Sequence, residues 1–258
     1  MLRASFRVYI LFLGTCVLDF PASAQNGLDL LHKMQIALGG AKDIAAISDY
    51  EEIQSAITFG RDGKRLGKVV KRTRWIRPNL LRLDQVGPGD TYVLYFDGTA
   101  GWEILPTRAP NEQKKIISLA GGELEFARKY LRDLSFNVWL ADRDPRYRIE
   151  SPAAGVIRIA DSEDPAHQLD ITLESGSGLP VKESTLSLAD PARPAPSETR
   201  FEEWQTVKGI RFPRRTAVFR NGIRLVDITV EGIELNKGLQ RDALSTKPTD
   251  LNPVLSSN

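Results

Sequence analysis

The sequence predicts an α+β protein whose curved, mostly antiparallel sheet forms a half-open barrel of about ten or eleven strands, with helices over its concave face. Apolar and polar residues nearly alternate through residues 198–236, as is typical of strands with one buried face. Lys208-Gly209 and Asn221-Gly222 divide this block into three strands, because Asn-Gly favours a tight hairpin turn. In the middle of the chain, apolar residues recur at helical spacing instead.

Strand patterns lie on both sides of this helical segment, between residues 49 and 105 and between residues 147 and 188. Asp62-Gly63 and Asp97-Gly98 predict hairpin turns among them. A single twisted sheet with so many strands curls rather than lying flat. A curled sheet that is covered by helices encloses an apolar interior, which is either packed solid or left hollow.

Two main helices are predicted. The first begins near Leu28 and ends at Gly39-Gly40, because glycine favours helix termination. The second runs from about residue 123 towards Asp144-Pro145 as one continuous helix. Its apolar stripe consists of Leu124, Ala127, Leu131, Leu134 and Val138. The proline-containing segments 106–115 and 190–196 are predicted to be surface loops.

The first 24 residues have the composition of a secretory signal peptide. Arg3 and Arg7 precede an apolar run over residues 8–18, and Ala22-Ser23-Ala24 supplies the small residues of a cleavage site. We therefore predict that residues 1–24 are a signal peptide that is cleaved after Ala24, and that the mature protein is exported.

The single cysteine, Cys16, lies inside this segment. Leu13-Gly14-Thr15-Cys16 loosely resembles a lipid-attachment signal, but threonine before the cysteine fits that signal poorly. Lipid anchoring through Cys16 is therefore the less favoured alternative to cleavage. The mature chain is predicted to form one domain over residues 25–240, followed by a flexible polar tail over residues 241–258.

Composition and motifs give no support for catalysis. The chain has 258 residues and a net charge of +2, which does not indicate an acidic or nucleic-acid partner. Its two histidines are His32 and His167, and His167 lies in a polar loop, residues 161–168, that is predicted to be solvated. No G-x-S-x-G motif or phosphate-binding loop occurs. We predict that the protein is not an enzyme and that it has no cofactor, no metal site and no nucleic-acid partner.

Three motifs in order resemble the LolA-like family of periplasmic lipoprotein carriers and outer-membrane lipoprotein-sorting proteins. They are Arg77-Pro78-Asn79-Leu80-Leu81, then Phe96-Asp97-Gly98-Thr99-Ala100-Gly101-Trp102, and finally Phe201-Glu202-Glu203-Trp204 with Lys208-Gly209-Ile210-Arg211-Phe212-Pro213. The resemblance implies that residues 25–240 form a half-barrel with a helical lid over a hydrophobic cavity. It also implies lipid binding and protein transport in the periplasm.

The same resemblance implies a set of ligand-binding residues. Arg77 corresponds to the arginine that bonds towards the lid in the carriers and keeps the lid shut. The residues expected to form the cavity wall or lid, together with this arginine, are Trp75, Arg77, Trp102, Leu131, Phe136 and Trp139.

The partners that the resemblance implies are acyl chains of lipoproteins or other lipids, and sorting proteins of the inner and outer membranes. We expect a monomer. An alternative interpretation is an envelope regulatory or sensing module of the same fold, which binds a protein or a lipid without transporting it. Lipid that co-purifies with the protein would favour the carrier, whereas a protein partner recovered without lipid would favour the module.

Overall fold

A computed structural model describes residues 26–87, 90–105, 114–164, 167–187 and 195–248. The predicted signal peptide and most of the two predicted proline-containing loops lie outside the described residues. The strands are β1 Asp49–Phe59, β2 Arg65–Ile76, β3 Leu80–Gly87, β4 Asp90–Phe96, β5 Gly101–Ile104, β6 Ile116–Ser118, β7 Tyr147–Ala153, β8 Val156–Asp161, β9 Gln168–Leu173, β10 Pro180–Ser187, β11 Ala195–Val207, β12 Ile210–Arg220 and β13 Ile223–Leu235. The helices are α1 Gly27–Leu38, α2 Ala41–Ala45, α3 Gly121–Arg132, α4 Ser135–Trp139, the short 3-10 helix Ala141–Arg143, and α5 Arg241–Ser245.

Within the described residues, all 13 strands belong to one antiparallel sheet. The strand order is β6-β5-β4-β3-β2-β1-β13-β12-β11-β10-β9-β8-β7. The first and last strands of the chain therefore pair at the centre, and the edges are β6 and β7. This open, curved sheet confirms the predicted fold class, with somewhat more strands than the ten or eleven expected. We call β2–β6 the first limb and β7–β12 the second limb.

The predicted three-strand meander is confirmed as β11, β12 and β13. Asn221 and Gly222 have φ angles of 50° and 75°, and Lys208 and Gly209 have φ angles of 48° and 84°. A two-residue hairpin turn with positive φ at both positions has the twist of the flanking strands. The Asn-Gly signal therefore located its turn correctly.

The predicted long helix is wrong, because the structure divides it into α3 and α4. The break falls at Leu134, whose ψ of 132° is not helical. On α3, Ala127 is buried against the first limb, where it packs with Leu83 and Leu94. On α4, Phe136 is buried in the other, larger core cluster. A change of direction between the helices lets each apolar face reach its own cluster, which one straight helix would not allow.

The larger core cluster lies between the sheet, α1 and α4. Leu31, Met34 and Leu38 of α1 are fully buried there, so the predicted first helix is confirmed. Gln35 of the same helix donates hydrogen bonds to the carbonyl oxygen of Trp139, at 2.9 Å, and to Asp142, at 2.8 Å. These bonds attach α1 to α4 and to the 3-10 helix.

The tail predicted to be flexible is in part ordered. Helix α5 packs on the convex face of the first limb, where Leu244 is 1% exposed. Arg82 donates to the carbonyl oxygens of Leu244 and Thr246, at 3.0 and 2.8 Å. The sequence pattern missed this helix because five residues are too few to show an apolar period. In the part of the chain that the structure describes, no helix has the length and apolar character needed to cross a bilayer.

Phe136 joins α4 to the sheet, and its removal tests that packing. Its ring is 2% exposed and contacts the rings of Tyr50, Trp75 and Phe212 at centroid distances of 5.0, 5.2 and 5.9 Å. Phe136→Ala should lower the free energy of unfolding by about 3–5 kcal/mol, because it leaves a cavity. Urea unfolding measures this change. Phe126→Ala on α3 removes a 51% exposed ring and should cost about 0.5 kcal/mol or less. Equal losses in the two variants would contradict the assignment of the core.

Candidate functional site

A cavity of about 850 Å³ opens between the concave face of the sheet and helices α3 and α4. Cavities of about 300–1,000 Å³ are typical of sites for small molecules. Apolar side chains from both layers line much of it, namely Tyr50, Leu134, Phe136, Phe212, Ile228 and Val230. Phe126 and Leu186 also line it and are 51% and 48% exposed, so apolar surface continues from the interior to solvent. The interior of the half-barrel is therefore partly hollow.

A row of polar side chains crosses the sheet side of this cavity. Glu52 and Gln54 follow Tyr50 at alternate positions of β1, and Thr73 and Lys71 are their cross-strand partners on β2. Glu52 accepts hydrogen bonds from the Tyr50 hydroxyl and from the Gln54 amide. Burial raises the pKa of Glu52 in spite of these bonds. The cavity is therefore apolar on its walls and polar along this row, which we call the polar floor.

Lys71 is the cation of the polar floor. Its ammonium lies 5.1 Å from the centroid of the Tyr130 ring on α3. Burial lowers the pKa of Lys71, but interactions with Tyr130 and Glu52 outweigh burial and leave that pKa above its ordinary value. Lys71 therefore stays charged inside the cavity at neutral pH.

Ion pairs attach α3 to the second limb on the far side of the cavity. Lys129 and His167 bond the two carboxylate oxygens of Asp133, at 2.8 and 3.1 Å. Arg132 contacts Asp161 and Asp164 at 3.4 and 3.3 Å. We call these six residues the clasp. Since α3 packs on the first limb and the clasp holds it to the end of β8 and the segment after it, the helix bridges the mouth of the half-barrel.

His167 is a buried member of the clasp, so the prediction of a solvated loop is wrong at this position. Its side chain is 9% exposed, and its Nδ1 lies 3.2 Å from the Lys129 ammonium. An ammonium group only donates, so Nδ1 has to accept and Nε2–H donates to Asp133. Burial raises the pKa of Asp133, but the bonds from His167 and Lys129 outweigh burial and hold that pKa below its ordinary value.

Glu183 adds a second titrating carboxyl group near the clasp. It is half-buried on β10, opposite Ile171, which is fully buried, and Thr199, which lines the cavity. Burial, together with the negative charge of Asp133, raises the pKa of Glu183 to about 7. This carboxyl group therefore changes charge near neutral pH.

Three of the predicted wall or lid residues lie around the core end of the cavity. Phe136 lines the cavity itself. Trp75, fully buried, is stacked on Phe136, and Trp139, 3% exposed, meets Phe136 edge to face at a centroid distance of 5.9 Å. Both tryptophans thus lie behind the wall as core residues.

Arg77 and Leu131 line a second, smaller cavity of about 350 Å³. Arg77 donates from Nε to the carbonyl oxygen of Ile47, at 2.9 Å, and from Nη2 to that of Ile44, at 3.5 Å. Its guanidinium also lies 5.0 Å from the Trp75 ring. These bonds attach Arg77 to α2 and the segment after it. Among the described residues, no hydrogen bond joins Arg77 to α3 or α4.

Trp102 is on the opposite face of the sheet, so its prediction as a cavity residue is wrong. It pairs with Tyr95 across β4 and β5, and the two rings stack at 5.7 Å. Phe96, which follows Tyr95 on β4, points to the opposite, concave face and packs in the core of the first limb. The indole Nε1 of Trp102 donates to the carbonyl oxygen of Ser245, at 3.3 Å. The tryptophan therefore packs beneath α5.

The polar floor and the clasp are what sequence reasoning missed. Tyr50, Glu52 and Gln54 are spaced two apart, as are Trp75, Thr73 and Lys71, so each set shares one face of a strand. Each set begins with an aromatic residue that packs in the core, and following the alternation would have placed the polar residues on the concave face. The clasp has no comparable signal, because its residues lie on two segments that are distant in sequence.

The chain is similar in structure to proteins with a LolA-like fold. An outer membrane lipoprotein-sorting protein domain from Vibrio parahaemolyticus has 13% identity and a TM-score of 0.52, with 84% of this chain and 95% of that one covered. A DUF1329 family protein from Desulfovibrio piger has 14% identity and a TM-score of 0.53 at the same coverage. A LolA superfamily protein from Nitrosomonas europaea has 12% identity and a TM-score of 0.55, with 87% of this chain and 99% of that one covered.

These likenesses establish the fold, as a LolA-like half-barrel. No protein-family model and no curated protein sequence matches the chain. The function of the cavity therefore has to be argued from its own residues.

The clasp predicts a measurable effect on α3. Asp133→Asn weakens the bonds from Lys129 and His167, so the helix should open more often. Because Asp133 is partly exposed, we expect a loss of about 1 kcal/mol, or roughly fivefold faster amide hydrogen exchange in α3. Glu125→Gln removes an exposed ion pair with Arg128 on the same helix and serves as the matched control. Exchange in α3 that is equally fast in both variants would contradict the clasp.

The raised pKa of Glu183 predicts a pH dependence of stability. A carboxyl group whose pKa is higher in the folded state stabilises that state fully below its unfolded pKa, near 4.5, and loses this effect as the pH rises through about 7. Glu183→Gln should therefore be more stable than the unsubstituted protein at pH 7.5, with the difference shrinking towards pH 4.5. Urea unfolding at both pH values measures it. The exposed Glu163→Gln should show no such trend, and a pH-independent difference for Glu183→Gln would refute the assignment.

Proposed function

We propose that this protein is a periplasmic carrier that shelters lipidated proteins or another hydrophobic cargo in the cavity beneath α3. The observation that carries the proposal is the hollow interior, whose apolar walls continue to solvent at Phe126 and Leu186. The signal peptide predicted for residues 1–24 supports the location. The LolA-like fold, which the chain shares with a lipoprotein-sorting domain, supports the class of cargo.

The physical chemistry of the cavity suits such a cargo. Each methylene group removed from water contributes about 0.8 kcal/mol, so an acyl chain in an aqueous compartment needs an apolar shelter. The aromatic rings of Tyr50, Phe136 and Phe212 provide a rigid end wall, while Ile228 and Val230 of β13 provide an aliphatic side. We infer that the acyl chain enters the cavity beside α3, since that helix covers the open side of the sheet.

Binding and release need no covalent step in this proposal. The lid helix α3 has one fully buried residue, Ala127, and half-buried Leu124, Tyr130 and Leu131 pack beside it on the first limb. The clasp attaches the helix to the second limb. A lid held by so little buried apolar surface opens at a smaller cost than a core helix such as α4. The cargo can therefore exchange without unfolding the sheet.

Filling the cavity tests the proposal. Ile228→Trp should exclude about two methylene groups of a guest and weaken its binding by about 1.6 kcal/mol, or roughly tenfold. The measurement is titration with N-phenyl-1-naphthylamine, a fluorescent apolar probe. Lipid extracted from the protein isolated from its own periplasm, and quantified by mass spectrometry, should fall in the same variant.

Thr229→Trp is the matched control, because Thr229 is the next residue on β13 and lies on the opposite face, where it pairs with Ser55 and Arg215. It should retain both probe binding and lipid content. The carrier proposal fails if the unsubstituted protein binds no probe and contains no lipid. It also fails if both tryptophan variants bind the probe as tightly as the unsubstituted protein does.

A further inference from the structure

Lys71 carries a positive charge inside the cavity that an entirely apolar cargo would leave without an anionic partner. It lines the cavity from β2, and its cross-strand neighbour on β1 is Gln54. Its ammonium faces the Tyr130 ring. Among the described residues, no carboxylate lies within ion-pairing distance of this ammonium, and its side-chain hydrogen-bond partner there is Tyr130, which carries no charge to match it.

The other strongly charged groups deep in the cavity are already matched. Lys129 bonds Asp133, and Arg132 bonds Asp161 and Asp164. Glu52 is the closest counter-charge of Lys71, but it accepts its hydrogen bonds from Tyr50 and Gln54 instead. Lys71 therefore differs from Lys129 and Arg132 in having no carboxylate within ion-pairing distance.

An ammonium group has three donors, so the hydrogen bond with Tyr130 leaves two that need an acceptor, and a partly buried charge without a counter-charge is costly. The side chain of Lys71 is half-buried, so water reaches it through the cavity. An apolar chain that fills the cavity would displace this water and leave the charge unsolvated. A guest with an acceptor at the same depth avoids that cost, and an anionic acceptor also supplies the missing counter-charge.

We propose that the cavity binds an anionic amphiphile, whose carboxylate or phosphate group contacts the Lys71 ammonium while its hydrocarbon chain lies along the apolar walls. Thr73 is two residues further along β2 on the same face, and its hydroxyl group lies within the same polar floor. This assignment rests on the proposed carrier function and narrows its cargo to molecules with a negatively charged head group.

Three ligands that share a ten-carbon hydrocarbon chain but differ in their head groups test the proposal. Decanoate, decyl phosphate and decanol compete with N-phenyl-1-naphthylamine for the protein at pH 8. We expect at least one of the two anions to bind about tenfold or more tightly than decanol, because charged hydrogen bonds are strong in a partly dry site. The better anion identifies the source of the acceptor, a fatty acid or a phosphate-bearing lipid.

Lys71→Met should abolish the advantage of the anion over decanol, while Lys71→Arg should retain much of it. The matched control is Lys68→Met, because Lys68 lies on the same strand, is exposed and occupies the opposite face. Urea unfolding of each variant checks that the fold persists, and Lys71→Arg serves as the second variant if Lys71→Met does not fold.

The outcomes separate this inference from the carrier function. If decanol competes as well as the anions do, or if Lys71→Met binds the anions as tightly as Lys68→Met does, the role of Lys71 is wrong and the carrier proposal stands. If none of the three ligands competes and the probe itself does not bind, the carrier proposal fails, and this inference fails with it.

Discussion

The connection from β6 to β7 joins the two opposite edges of the sheet, and in this protein it crosses the concave face. Strands β1 to β6 follow one another in sequence order from the centre of the sheet to one edge, and β13 pairs with β1 at the centre. Residues 119–146 make this crossing, and the apolar sides of their helices hold it on the concave face. They contain α3, α4 and the 3-10 helix, so the lid is part of this crossing. Every feature of the cavity depends on this crossing.

The two helices of the crossing are held by different forces. Helix α4 buries Phe136, Val138 and Trp139 in the main core, which makes it part of the sheet's packing. Helix α3 has Ala127 as its one fully buried residue, with half-buried apolar residues beside it on the first limb, and the clasp joins it to the second limb. Partly exposed ion pairs contribute little to stability and exchange easily with water. The proposed opening of the lid is therefore assigned to α3 and not to α4.

The fold could be predicted from the sequence more completely than the candidate functional site could. Alternation and the Asn221-Gly222 turn predicted the meander correctly, because both are local properties of a strand pair. The helix break at Leu134 was not predictable in this way, since an apolar stripe gives no information about which cluster each residue reaches. Trp102 was misplaced for a related reason. Trp102 pairs with Tyr95 and not with Phe96, and neighbouring residues of a strand point to opposite faces of the sheet. The pairing of β4 with β5 therefore decides which face Trp102 occupies, and the sequence does not show that pairing.

The composition of the cavity decides what kind of guest it suits. A shelter for hydrocarbon alone is best lined by hydrocarbon, because a buried charge costs more free energy than the apolar residue that could replace it. The polar floor contradicts that expectation, since Glu52 and Lys71 stand on adjacent strands of the same concave face. Such groups cost stability, but they can discriminate between ligands, because a ligand that leaves them unpaired binds less tightly. In the proposed carrier, the apolar walls supply affinity for the hydrocarbon chain of a guest, while the charge of Lys71 selects among guests by their head groups.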